Sequence, residues 1–237
     1  MTDLNKSPEK IAGMFDAIAG NYDFLNHLLS AGIDKRWRRK AIKSLQLTGR
    51  EQVLDLCTGT ADLAIAATEG ATGAQHVLGV DFAGEMLRVG LEKTRARQLT
   101  RRVTLVRGDA ANIPAASGSV DAVTVAFGIR NVQDTQKGCD EIFRVLNSGG
   151  RLAVLEFAIP TLPGVRALYL WYFKHVLPRI GQIISKHNAA YGYLPASVGA
   201  FATPDEFVTI LRRSGFSEIK GVPLTFGIVY LYTARKA

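Results

Sequence analysis

Acidic side chains recur where apolar runs of this chain end, and that placement is the first sign of chemistry. Asp55 lies within Val53-Leu-Asp-Leu56, and Asp62 follows the small-residue cluster Cys57-Thr-Gly-Thr-Ala61. Asp81 closes Val77-Leu-Gly-Val80, and Asp109 stands just beyond Val103-Thr-Leu-Val-Arg107. Val53 to Leu56 has strand character, the cluster after it forms turns, and Leu63-Ala-Ile-Ala-Ala67 has helical character. The pattern predicts a buried parallel strand, a tight loop and a helix start. Gly59 lets the loop backbone approach a ligand closely, with the N–H groups of the helix start turned toward it.

The acids narrow the ligand. A dinucleotide loop would read G-x-G-x-x-G, with the pyrophosphate on the helix N-terminus. This loop has one glycine, Gly59, and its acids Asp55 and Asp62 would repel a pyrophosphate. A ligand carrying an amine and a sulfonium, S-adenosylmethionine, suits them better. The loop resembles the class I methyltransferase pattern acid-x-Gly-x-Gly-x-Gly, with Cys57 and Ala61 in place of the first and third glycines. A strand–turn–helix that binds nothing remains the plain alternative for the loop alone. Asp81 comes about 20 residues later, the spacing at which a βαβ unit sets a carboxylate on a ribose 2′-OH. Capping of the helix that follows is compatible with that role. Asp109, at a strand end, is placed to accept from an adenine amine while the Ala110 N–H reads a ring nitrogen; an ordinary strand-to-loop aspartate is the competing explanation.

Val120 to Ala126 predicts a fourth strand, and its tail, Phe127-Gly-Ile-Arg-Asn131, delivers an aromatic, an arginine and an amide to the same cleft. Arg130 either works there or pairs with a structural acid. Arg151 to Phe157 predicts a fifth strand, and five strands alternating with helices make a parallel, doubly wound sheet. Ahead of them, apolar residues spaced three and four apart from Ile11 predict short helices, broken at Gly20-Asn21 and Ser30-Ala-Gly32, after polar residues 1–10. Asp34-Lys-Arg-Trp-Arg-Arg-Lys40 reads as a solvated helix face or as an interfacial patch around Trp37. Asp140 to Leu146 predicts a helix stopped at Asn147-Ser-Gly-Gly150. The very apolar residues 161–184 suggest a lid over a greasy substrate, Tyr191-Gly-Tyr-Leu-Pro195 a loop, and Thr203-Pro-Asp-Glu206 a capped helix start. Glu218 to Val222 and Gly227 to Thr233 read as a closing hairpin.

The bulk numbers set limits. The chain has 237 residues, a net charge of 29 − 21 = +8 and two cysteines. One α/β domain is expected: a helical cap over 1–47, a cofactor-binding core over 48–157, a helical lid over 158–200, and a helix and hairpin over 201–237. Two cysteines make no disulfide framework, and no secretory leader is visible at the start, so a reducing cytoplasm is the expected compartment. No apolar run reaches the roughly 18 residues needed to span a bilayer.

Over nearly its whole length the sequence resembles the ubiquinone/menaquinone biosynthesis C-methyltransferase family. The likeness is carried by MFDAIAGNYDFLNHLLSAGIDKRWRR, VLDLCTGTADLA, GVDFAGEML, GDAANIP, VTVAFGIRNVQD and FKHVLPRIGQIIS. It implies a mostly parallel seven-stranded, Rossmann-like fold and S-adenosylmethionine-dependent methylation of a ring carbon on a polyprenyl hydroquinone. It implies cofactor contacts at Thr60, Asp81, Asp109 and Ala110, with Ala126 where ubiquinone-pathway members often carry serine, which favours a menaquinone-type substrate. Asp55, Gly59, Asp62, Phe82, Met86 and Phe127 complete the expected cofactor site. Arg130 and Asn131 are the expected catalytic pair, and Tyr22 and Tyr193 the expected substrate contacts. His187 is a weaker candidate base. No metal site is expected, since no His/Cys/carboxylate cluster has ligand spacing. No nucleic-acid partner is expected either, since an aromatic-proline tetrad after strand four is missing. A peripheral contact with the inner face of the cytoplasmic membrane is expected, while a homodimer or a quinone-synthesis complex stays open. A non-catalytic cofactor-binding subunit is the non-enzyme alternative.

Overall fold

A computed structural model of the chain describes residues 6–30, 32–176 and 188–237. His187 and residues 177–184 of the apolar stretch lie outside them. At the centre is a seven-stranded sheet in the order β3-β2-β1-β4-β5-β7-β6. The strands are β1 Gln52–Leu56, β2 His76–Asp81, β3 Val103–Arg107, β4 Val120–Ala126, β5 Leu146–Phe157, β6 Ser217–Leu224 and β7 Val229–Arg235. All neighbours pair parallel through β5, and β7 runs antiparallel between β5 and β6.

The helices are α1 Pro8–Asp16, α2 Tyr22–Leu29, α3 Asp34–Ser44, α4 Asp62–Ala67, α5 Gly84–Ala96 and α6 Thr135–Val145. Then come α7 Pro163–His175, α8 Asn188–Ala200 and α9 Pro204–Arg213. They cover both faces of the sheet because its central strands are apolar on both sides. Leu54, Leu56, Val123 and Val125 pack with Ile142 of α6 and Phe207 and Leu211 of α9. Their neighbours Val53 and Ala122 face the other way, toward Trp37 and Ala41 of α3, Leu45 just beyond it, and Ala64 of α4. This is the period-two alternation of a strand expressed as two cores. Strand order runs outward in opposite directions from β1 and β4, so the carboxyl ends of these two strands open a crevice, the usual ligand site of such sheets.

Several local expectations are corrected. The first helix begins at Pro8, not Ile11, because proline at the first helical turn gives up no hydrogen bond. Helix α6 begins at Thr135, where the Asp134 side chain accepts from the Lys137 N–H at 3.0 Å. It ends at Val145, and Asn147-Ser-Gly-Gly150 lies within β5 instead of forming a free turn. Residues 191–195, expected as a loop, lie inside α8 with Pro195 in the helix. Trp37 is not interfacial. It is 6% exposed, donates from Nε1 to Thr225 Oγ1 at 2.9 Å, and meets Phe127 and Phe157 edge-on. The capped start of α9 is as expected, with Thr203 and Glu206 each accepting from the other's backbone N–H.

Candidate active site

The loop after β1 is built in left-handed backbone. Cys57, Gly59 and Ala61 have φ of 55, 55 and 65°. Only the glycine takes this without strain, so the two substituted positions keep the loop's shape at a cost of roughly 1–2 kcal/mol each. Asp55 accounts for part of what holds it. Its carboxylate is buried beneath the loop and accepts from Thr58 Oγ1 at 2.6 Å and Thr124 Oγ1 at 2.7 Å, tying loop to β4. Burial pushes its pKa up to about 6 despite those bonds.

The loop's other polar side chains also turn away from the crevice. Thr60 Oγ1 donates to Asp23 of α2, and Lys93 of α5 bonds Thr60, Asp62 and Asp23. Asp62 pairs with Arg38 as well, at 3.1 Å. Of the expected cofactor residues, Asp55, Thr60 and Asp62 thus spend their side chains on partners within the protein. These groups brace the loop and lash α2 and α3 to the sheet, so a carboxylate near a glycine loop is no sign that it faces the ligand.

The other expected cofactor residues do converge, around a cavity of about 360 Å³. Gly59 brings the loop backbone to it, and Asp81, Phe82 and Met86 arrive from the end of β2 and the start of α5. Asp109 and Ala110 follow β3, and Ala126 and Phe127 end β4. Asp81 accepts from the Gly59 N–H at 2.8 Å and the Ala83 N–H at 2.9 Å, and burial raises its pKa above the usual carboxylate value. Asp109 Oδ1 accepts from the Ala111 N–H at 2.9 Å. A Cβ on Gly59 would stand 3.3 Å from Met86 Cε, a tight approach, so the methionine closes on the loop at its glycine. Two carboxylates on adjacent strand ends, facing an apolar wall and a glycine backbone, fit an adenosyl group with its hydroxyls and exocyclic amine.

A second cavity, of about 460 Å³, lies against the first and is far more apolar. Trp37, Phe157, Tyr169, Tyr193 and Leu194 wall it, and Phe15, Tyr22 and Phe127 line both cavities. Tyr22 thus stands at the junction, and burial raises its pKa above the ordinary tyrosine value.

Arg130 lines the second cavity but is not free. Its guanidinium is buried, with Nη1 on Glu156 Oε1 at 2.8 Å and on the Phe127 carbonyl, and Nε on Ser197 Oγ at 3.2 Å. Arg130 does pair with a structural acid, and that pairing uses Nε and Nη1 while the residue still lines the cavity. Nη2 alone makes no hydrogen bond among the described residues. Asn131 lines the first cavity and accepts from the Tyr193 hydroxyl at 3.1 Å, which links the two spaces. The sequence analysis missed Phe15, Glu156 and Ser197. Glu156 was legible in principle, as a carboxylate inside the apolar run Leu152-Ala-Val-Leu-Glu-Phe157.

This sheet order, with a strand-end cavity opening into a second one, defines a Rossmann-like methyltransferase architecture. The chain matches the model of the ubiE/COQ5 methyltransferase family over residues 1–236, and it belongs to that family. A ubiquinone/menaquinone biosynthesis C-methyltransferase UbiE of Geobacter sp. (strain M21) is 43% identical over 236 residues, all of both chains. A demethylmenaquinone methyltransferase of Bacteroides fragilis (strain YCH46) is 42% identical, over 98% of this chain and 94% of that one. Among solved structures, the [4+2]-cyclase SpnF superposes with a TM-score of 0.71 at 16% identity, over 97% and 96% of the two chains. A SAM-dependent methyltransferase of Aquifex aeolicus gives 0.59 at 19%, over 83% and 87%. At such identities the likeness is one of fold, and a cyclase among the neighbours shows that the fold alone does not set the chemistry.

Proposed function

We propose that this chain transfers a methyl group from S-adenosylmethionine to a ring carbon of a polyprenyl hydroquinone, demethylmenaquinol being the substrate that fits best. The observation that carries this reading is the junction at Tyr22 and Phe127, where an acid-tipped adenosyl cavity meets an aromatic one. The relatives' names point the same way, and Ala126 rather than serine favours the naphthoquinol.

The cofactor, when bound, supplies a methyl group already activated on a sulfonium. Asp81 would take the ribose hydroxyls and Asp109, with the Ala110 N–H, the adenine edge. Tyr22 and Phe127 would confine the ring so that carbon and methyl meet, the alignment that contributes most when no covalent step by the protein is needed. The attacking carbon gains electron density as the neighbouring hydroxyl loses its proton. The guanidinium is a fixed cation, so Arg130 acts as a stabiliser of the phenolate through Nη2, the hydroxyl proton leaving through water. After methyl transfer the methylated carbon sheds its hydrogen as a proton and the hydroxyl is regained. Glu156 and Ser197 hold that guanidinium in place. Asn131 and Tyr193, bonded to each other, would set the wall between ring and cofactor.

A lipid tail needs an exit, and α7 supplies one. Leu168, Trp171 and Tyr172 line the aromatic cavity, while Leu168, Leu170 and Trp171 are 65, 43 and 54% exposed. An exposed apolar face at the mouth of an apolar cavity, beside Arg166 and Lys174, suits an anionic membrane surface. No helix among the described residues is long and apolar enough to cross a membrane, so docking would be peripheral, on the inner face of the cytoplasmic membrane.

Labelled methyl transfer tests the reading, run with short-chain demethylmenaquinol, a demethoxy-ubiquinol analogue and the oxidised naphthoquinone. Label in the naphthoquinol is expected, and none in the oxidised quinone. Label in both quinols would widen the substrate range. Tight cofactor binding with no label in any would leave a non-catalytic binding subunit.

A further inference from the structure

The cofactor cavity contains a cation that nothing above employs. Lys6 stands ahead of α1, lines the cavity, and is half-buried. Among the described residues it makes no hydrogen bond or ion pair. Burial and the positive Arg130 both push its pKa down, with only partial relief from Glu156. An ammonium so placed gains strongly from an arriving anion.

The cavity's other polar groups sort by position. Asp81, Asp109 and Ala110 face the adenosyl part. Lys137 is the other cation in the lining, but it sits in the first turn of α6, and Cβ on the next residue, Gly138, would lie 3.9 Å from the Ala110 carbonyl oxygen. That puts Lys137 at the adenine end. The amino-acid part of the cofactor is left with Gly59, the β4 tail Ala126-Phe-Gly128 and the segment ahead of α1. The acids in the lining, Asp81, Asp109 and Asp134, would repel its carboxylate. Arg130 is already committed to Glu156.

We infer that Lys6 binds the α-carboxylate of the methionyl group of S-adenosylmethionine. The inference rests on S-adenosylmethionine being the cofactor. It gives a residue ahead of α1, outside the sheet, a direct part in cofactor affinity.

The test is equilibrium binding of three ligands: S-adenosylmethionine, S-adenosylhomocysteine and decarboxylated S-adenosylmethionine. Lys6→Met keeps the stem and removes the charge, and Lys6→Arg keeps the charge. A partly buried charge-assisted hydrogen bond predicts roughly ten-fold or greater weakening of the first two ligands in Lys6→Met. The decarboxylated ligand should bind wild type and Lys6→Met within about two-fold of each other, and Lys6→Arg should retain most of the affinity. Equal weakening of all three ligands would reassign Lys6 to packing of the segment and overturn the inference. Unchanged affinity for all three would overturn it too, with the cofactor assignment intact. A wild-type protein that binds none of them would remove the cofactor assignment and this inference together.

Discussion

At the scale of single residues, burial decides what each carboxylate does. Asp55 was legible as an acid at a glycine loop, but its direction was not, because strand alternation tells which face a residue takes and not what lies beneath the loop. Its pKa of about 6 has a consequence for stability. The unfolded chain releases this proton first, near the ordinary 3.8, so the folded state binds more protons in between. Stability then falls as pH rises from about 4 to 6, by on the order of 3 kcal/mol, and levels above that. Asp55→Asn should lose that slope relative to wild type in urea titrations across pH 4–7. Identical pH profiles would show that Asp55 is not buried as described. Glu156 carries the opposite lesson: it is fully buried and paired. Glu156→Gln should strand the Arg130 charge and destabilise by about 3–5 kcal/mol, read as a shift in denaturation midpoint. A loss under about 1 kcal/mol would mean that water reaches the pair.

At the scale of elements, the strands were legible and the helix boundaries less so. β1 to β5 each announce themselves as short apolar runs, and a parallel sheet buried on both faces requires that pattern. The start of α1 was placed too late because residues 1–10 are polar, the stop of α6 was assigned to a glycine turn that lies within β5, and residues 191–195 of α8 were read as a loop. Pro8 sits at a first turn, where it costs nothing, and Pro195 is carried inside α8. Trp37 was misread for a different reason. Cations flank it at Lys35, Arg36, Arg39 and Lys40, which are exposed, while the ring on the opposite side of α3 joins the core. A direct contrast follows between the chain's two tryptophans. Trp171→Ser on α7 should reduce flotation with anionic vesicles several-fold and leave the melting temperature nearly unchanged. Trp37→Ala should cost about 3–5 kcal/mol of stability. Unaltered vesicle binding in Trp171→Ser would remove α7 from the docking surface.

At the scale of the whole molecule, the fold and the strand ends that carry Asp81 and Asp109 could be read from the sequence, and the joining of the two cavities could not. The spacing of Asp81 and Asp109 placed them on neighbouring strand ends. Nothing in the spacing says that α1 and α2 fold back over those ends so that Phe15 and Tyr22 wall both cavities. The ties that hold them there are long-range: Asp23 to Thr60 and Lys93, and Asp16 to the Glu85 N–H at 2.8 Å. Removing one such tie, in Lys93→Met, should speed cofactor release in stopped-flow measurements while the sheet stays folded. An unchanged release rate would mean that the cap does not gate the cavity.

The central claim is that one junction brings a sulfonium methyl and a quinol ring carbon together. The most direct measurement is a crystal structure with S-adenosylhomocysteine and a short-chain demethylmenaquinol bound at once. The account predicts the thioether sulfur and the unsubstituted ring carbon facing each other between Tyr22 and Phe127, with the ring hydroxyl toward Arg130 Nη2. A quinol seated outside the aromatic cavity, or turned so that its unsubstituted carbon points away from the sulfur, would contradict it.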